Sequence, residues 1–106
     1  MGSKSLVDYQ QKTKEASKGF DFNCYVRFMH LVEELGELGE AITVYKGDRK
    51  AGSGGKALAD HSDLEEEFGD VLFSLIDIAN DLKIDLSATM ETTFDRYEKK
   101  LKENTR

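Results

Sequence analysis

Apolar residues recur at steps of three and four along most of this chain, the spacing of amphipathic helices rather than the alternation of strands. The longest run is Phe28, Leu31, Leu35, Leu38, Ile42 and Tyr45, one helical face that reads like a coiled-coil seam. It predicts a helix over about 22–46, stopped by Gly47. Leu64, Phe68, Val71, Leu75, Ile78 and Leu82 predict a second long helix over about 60–83. Phe73 and Ile76 extend its apolar character to another side, so broad burial is expected. Met90, Phe94, Tyr97 and Leu101 predict a helix over about 86–103, with Asp85 as N-cap and a charged, fraying end. The N-terminal signal is thinner. Ser5 with Asp8 three residues on is a capping-box pattern, and the sparse stripe Leu6, Tyr9, Ala16 predicts a helix over about 5–17, ended by Gly19.

Between the two long helices, residues 47 to 59 contain Gly52, Gly54 and Gly55 and read as a flexible loop, long enough to suggest a function. The chain has no proline. An all-α, four-helix chain is therefore expected, as a single domain over residues 1–106. With 39% hydrophobic residues its core is modest, and a core shared with another copy in a helical-bundle oligomer is expected. Fifteen Lys and Arg against 21 Asp and Glu give a net charge of -6, which argues against a nucleic-acid backbone as partner. No apolar run approaches the ~20 residues of a membrane helix, and no signal-peptide core follows Met1. The lone Cys24 leaves no internal disulfide and reads as a small packing residue. A soluble, cytoplasmic protein is the expectation.

The carboxylates are more informative than the charge. Glu33, Glu34, Glu37 and Glu40 span an arc of roughly 120° on the first long helix, beside the apolar seam, with Glu34 closest to it. Glu34 and Glu37, three apart, can converge on one point, and Glu67 and Asp70 repeat that spacing on the next long helix. Asp63, Ser74, Asp77 and Asp81 lie near the same line. Asp77 interrupts an apolar run, so it faces either a solvent seam or a polar site. Like charges so placed repel unless cations neutralise them, and hard divalent cations prefer oxygen ligands. With the two helices antiparallel, Glu34, Glu37, Glu67 and Asp70 form a four-carboxylate cup in this reading. The same residues also suit solvated helix faces, and spacing leaves both readings open. Gly36, Gly39 and Gly69, inside helices at a cost of about 1 kcal/mol each relative to alanine, suggest a close approach there.

Glu33-Glu34-x-x-Glu37 followed by Glu67-x-x-Asp70, with the flanks Leu31 to Leu38, Glu66 to Leu72 and Ala79 to Leu86, and more faintly Phe94 to Tyr97, resembles the MazG-like nucleoside triphosphate pyrophosphohydrolases of the all-α NTP pyrophosphatase superfamily. The resemblance covers about residues 22 to 100. It implies a Mg²⁺-dependent enzyme, with Mn²⁺ able to substitute. Such an enzyme cleaves nucleoside triphosphates, deoxyribonucleotides foremost, to the monophosphate and pyrophosphate. It further implies cation ligands at Glu34, Glu37, Glu67 and Asp70, assembly as a dimer or tetramer with the site at a subunit interface, and a housecleaning role.

Glu33 or Glu34 is the candidate for taking the proton of the attacking water. Arg96, Lys99 and Lys100 are candidate phosphate contacts, as are Lys46, Arg49, Lys50 and Lys56 around the loop. Thr93 stands where many members carry a lysine, so that contact is not carried over. Tyr45, Phe73, Phe22 and Tyr25 are candidates for base stacking, although each also suits core packing. The tryptophan of the dCTP-specific relatives is missing. Asn80 is a candidate hydrogen-bonding group for sugar or base, or a local cap. His30 and His61 are not expected as ligands of a magnesium site. Competing readings are a phosphoribosyl-ATP pyrophosphohydrolase and a non-catalytic helical oligomerisation module. A di-iron bundle is set aside, since its Glu-x-x-His pairs are lacking.

Overall fold

The computed structural model describes residues 3–47 and 61–103. They form four helices, α1 (Leu6–Ala16), α2 (Cys24–Tyr45), α3 (His61–Asp81) and α4 (Leu86–Glu103), with no strand among them. The glycine-rich segment, with Arg49, Lys50 and Lys56, lies outside the described residues.

The caps explain most helix ends. Ser5 and Asp8 close a full capping box: the Asp8 amide donates to Ser5 Oγ at 3.2 Å, and the Ser5 amide donates to Asp8 Oδ2 at 2.9 Å. Asn23 caps α2 by accepting from the Val26 amide at 3.1 Å, so α2 starts two residues later than its apolar pattern suggests. Asp85 accepts from the Ala88 amide at 2.9 Å and caps α4. Gly47, at φ 83, follows the end of α2. At the end of α3 the Ile84 amide donates to Ala79 O and the Lys83 amide to Asn80 O, which is a Schellman motif. Its left-handed residue is Lys83, at φ 59, where glycine is the usual occupant.

α2 and α3 form the main packed pair, with Leu31, Leu38 and Val71 as the core and Ile78 against it. α1 packs on α3 through a face that shares only Leu6 with the apolar stripe. Its buried residues are Gln10 and Thr13, with Leu6 and Ser17 half-buried in the same register, whereas Tyr9 is exposed. Polar Gln10 replaces an apolar residue there because its side chain is hydrogen-bonded. Gln10 Nε2 donates to Asn80 Oδ1 at 3.0 Å and to Ile84 O at 2.8 Å, while Gln10 Oε1 accepts from the Leu86 amide at 2.9 Å. One side chain thus ties α1, the end of α3 and the first turn of α4 together.

The long apolar stripes are only partly used within the chain. On α2 the buried residues are Leu31, Leu38, Ala41 and Val44, while Phe28, Leu35 and Ile42 face outward. On α3, Phe68, Leu75 and Leu82 face outward too, while Val71, Ser74, Ile76, Asp77 and Ala79 are buried. No residue of α4 is buried. The close approach expected at Gly36, Gly39 and Gly69 is not found among the described residues: beyond the helix's own neighbouring backbone, none of them lies within 4 Å of where a Cβ would stand.

Candidate functional site

Two cross-helix contacts fix the register of α2 on α3. Arg27 Nε lies 3.3 Å from Asp77 Oδ2, and Ser74 Oγ donates to Glu34 Oε1 at 2.8 Å. As the α2 number rises the α3 number falls, so the helices are antiparallel. Continuing that register sets Glu37 opposite the stretch that holds Glu67 and Asp70. With a rise of about 1.5 Å per residue, each pair spans only about 4.5 Å along its helix.

The four carboxylates differ in exposure. Glu34 and Glu67 are half-buried and Glu37 and Asp70 are exposed, so the group runs from the inside of the seam to its rim. Oε2 of Glu67 is withdrawn from solvent. Among the described residues no three His, Cys, Asp or Glu side chains converge tightly enough to hold a metal ion. The donor set nevertheless suits a hard divalent cation: every donor is a carboxylate oxygen, and two sit on each of two facing helices.

Glu33 is exposed, and its Oε1 lies 3.9 Å from His30 Nδ1 of the same helix. Tyr45 and Lys46 end α2, exposed, beside the segment outside the described residues. Arg96 and Lys100 lie on α4, exposed, along a surface hollow of about 340 Å³ with Tyr97, Lys99 and Glu103. Lys100 Nζ sits 5.9 Å from the Tyr97 ring centre, and Arg96 donates to Thr93 Oγ1 at 3.4 Å. α4 packs mainly on α1, so within one chain these cations are not joined to the carboxylates of the α2–α3 seam. Asn80 is engaged at both ends of its amide, accepting from Gln10 Nε2 and donating to Gln10 O at 3.0 Å. Of the aromatic candidates, Phe73 and Tyr25 are exposed, and Phe22 is half-buried in a hollow it shares with Arg27 and His30.

Asp77 resolves to a polar site. It is 6% exposed, held by Arg27 and by Ser17 Oγ at 3.4 Å. Burying a carboxylate requires such partners. Arg27 and Ser17 were not visible as partners from sequence, because both come from other helices; the only signal was a carboxylate inside an apolar run. Cys24 is half-buried, and its thiol is pushed up by desolvation first and then by the charge and hydrogen bond of Asp81, so it stays protonated.

Residues 27–105 match the profile of the MazG nucleotide pyrophosphohydrolase domain. The YpjD protein of Bacillus subtilis (strain 168) is 31% identical over 101 residues, which span 92% of this chain and 86% of YpjD. The crystal structure of B. subtilis YpjD superimposes with a TM-score of 0.78 at 31% identity, covering 92% of this chain and 98% of the other. That of a Bacillus-conserved MazG protein, a nucleotide pyrophosphohydrolase, superimposes with a TM-score of 0.74 at 29% identity, covering 92% and 93%.

Proposed function

The chain belongs to the MazG nucleotide pyrophosphohydrolase family and is a hydrolase acting on nucleotides; from that premise we propose that it cleaves nucleoside triphosphates, deoxyribonucleotides foremost, between the α and β phosphates, releasing the monophosphate and pyrophosphate. The observation that supports this reading is the antiparallel α2–α3 seam, which carries Glu34 and Glu37 on one helix and Glu67 and Asp70 on the other, with Glu34 held by Ser74.

In this reading those four residues hold Mg²⁺, with Mn²⁺ able to substitute. A bound divalent cation supplies charge neutralisation at the phosphate oxygens and lowers the pKa of a coordinated water. A water oxygen bonds to phosphorus as the α–β bridging P–O bond breaks. Glu33 and Glu34 are the two carboxylates in reach of this role of taking the water's proton, Glu34 half-buried in the seam and Glu33 exposed beside it. Arg96 and Lys100 meet phosphate oxygens, while Lys46 and Tyr45 contact the substrate from the end of α2. Asn80 acts indirectly, through the turn it fixes with Gln10.

We infer self-association as well. Phe94 and Leu101 on α4 are 61% and 60% exposed, and Phe28 and Leu35 on α2 are about half exposed. Apolar area of this extent on a small soluble chain marks an interface. A dimer or tetramer covers it, and brings the α4 cations of one copy to the carboxylate seam of another. A housecleaning role in the cytoplasm completes the proposal.

The test is Glu37→Gln and Asp70→Asn in full-length protein. Each is expected to reduce Mg²⁺-dependent pyrophosphate release to background while the far-UV circular dichroism stays helical. Wild-type turnover at saturating Mg²⁺ in either variant would overturn the cation assignment.

A further inference from the structure

Ser74 stands inside Phe73-Ser74-Leu75-Ile76 at 1% exposure. A hydroxyl so deeply buried has to be hydrogen-bonded. In a helix the nearest acceptor is the carbonyl four residues back. Thr92 and Thr93 on α4 use it, donating to Ala88 O at 3.3 Å and to Thr89 O at 2.8 Å. Ser74 instead donates across the seam to Glu34 Oε1 at 2.8 Å.

The contact acts on the carboxylate nearest the seam's interior. Glu34 is a long side chain on a half-buried helix face. A donor on one of its oxygens fixes the rotamer and orients the second oxygen without removing the negative charge. Glu37 and Asp70, on the exposed rim, have no comparable anchor described. A site built from two rim carboxylates and two inner ones therefore depends on the inner pair for a defined position.

We propose that Ser74 is a positioning residue: it holds Glu34 by one carboxylate oxygen and presents the other to a divalent cation in the α2–α3 seam. The proposal rests on the cation reading given under the proposed function. Outer donors of this kind set ligand orientation, and their loss costs about 10- to 100-fold in metal affinity.

The experiment is a Mn²⁺ titration of the full chain without nucleotide, following the free-ion signal by electron paramagnetic resonance, in wild type, Ser74→Ala, Glu34→Gln and the double variant. Thermal melting of the metal-free proteins is recorded alongside. Ser74→Ala is expected to weaken Mn²⁺ binding about tenfold, with a metal-free melting temperature within a few degrees of wild type. In the Glu34→Gln background the same substitution is expected to leave the residual affinity unchanged, because its effect passes through that carboxylate. Unchanged Mn²⁺ affinity in Ser74→Ala, whatever happens to melting, overturns the proposal and leaves Ser74 a packing group. Equal losses in both backgrounds also overturn it. Wild-type protein that binds no Mn²⁺ overturns the cation reading itself, which separates the two failures.

Discussion

Replacing Gln10 by alanine tests how α4 is held. The Gln10 side chain makes three hydrogen bonds, to Asn80 Oδ1, to Ile84 O and from the Leu86 amide, and the residue is only 9% exposed. A buried hydrogen bond contributes about 1 kcal/mol net, and groups left unsatisfied cost more. The Leu86 amide sits in the first turn of α4, where no helix carbonyl can accept it. Truncation therefore costs about 3 kcal/mol, from roughly 1 kcal/mol per bond. For a chain of this length that lowers the melting temperature by roughly 12 °C or more. Gln10→Glu should do no better, since it keeps the acceptor for Leu86 but loses the donor and sets a carboxylate against two oxygens. The assays are thermal unfolding by circular dichroism and hydrogen exchange at the Leu86 amide. A melting temperature within 2 °C or so of wild type, with Leu86 still protected, would refute the reasoning, since a drop of even 1 kcal/mol shifts it further.

Other perturbations follow from the same structure. Arg27→Met strands the buried Asp77, which among the described residues keeps the 3.4 Å contact from Ser17, and should cost about 3 kcal/mol in urea unfolding; replacing both partners with apolar residues should recover most of that loss. Lys83→Gly relieves a left-handed residue and should raise stability by up to about 1 kcal/mol, read as a higher denaturant midpoint. Asp8 is held below the ordinary aspartate range by the Ser5 amide first and the Ser5 hydroxyl second. Because its folded pKa is the lower one, its contribution is present above about pH 4 and is lost as pH falls through the folded value. Ser5→Ala removes only the smaller cause, the hydroxyl, and should move the Asp8 titration, followed by NMR, part of the way back toward the ordinary value.

The four helices were legible because their ends are written locally. Ser5 with Asp8, Gly47 and Asp85 each supply or follow a cap that needs no partner from elsewhere in the chain. The late start of α2 depends on Asn23, a cap signal overshadowed by the aromatic residues around it. The packed faces were less legible. On α2 the apolar stripe from Phe28 to Tyr45 is turned by roughly 65° from the face buried within the chain, which centres near Glu34. A stripe read from one sequence merges surfaces buried within a chain with surfaces that stay apolar outside it. The face of α1 was legible only at Leu6, because Gln10 is buried by hydrogen bonding and, like the buried Thr13, leaves no hydrophobic signature. The carboxylate pairs were legible from their spacing of three. The partners that fix the polar seam, Ser74 for Glu34 and Arg27 for Asp77, lie 40 and 50 residues away in sequence and emerge only from the antiparallel register.

The most direct measurement is product analysis on a panel of ribo- and deoxyribonucleoside triphosphates, with Mg²⁺ and with EDTA, scoring pyrophosphate and orthophosphate separately. The account predicts pyrophosphate and the monophosphate in equal amounts, fastest from deoxyribonucleotides and abolished by EDTA. Orthophosphate as the product, or pyrophosphate release that persists in EDTA, would contradict it.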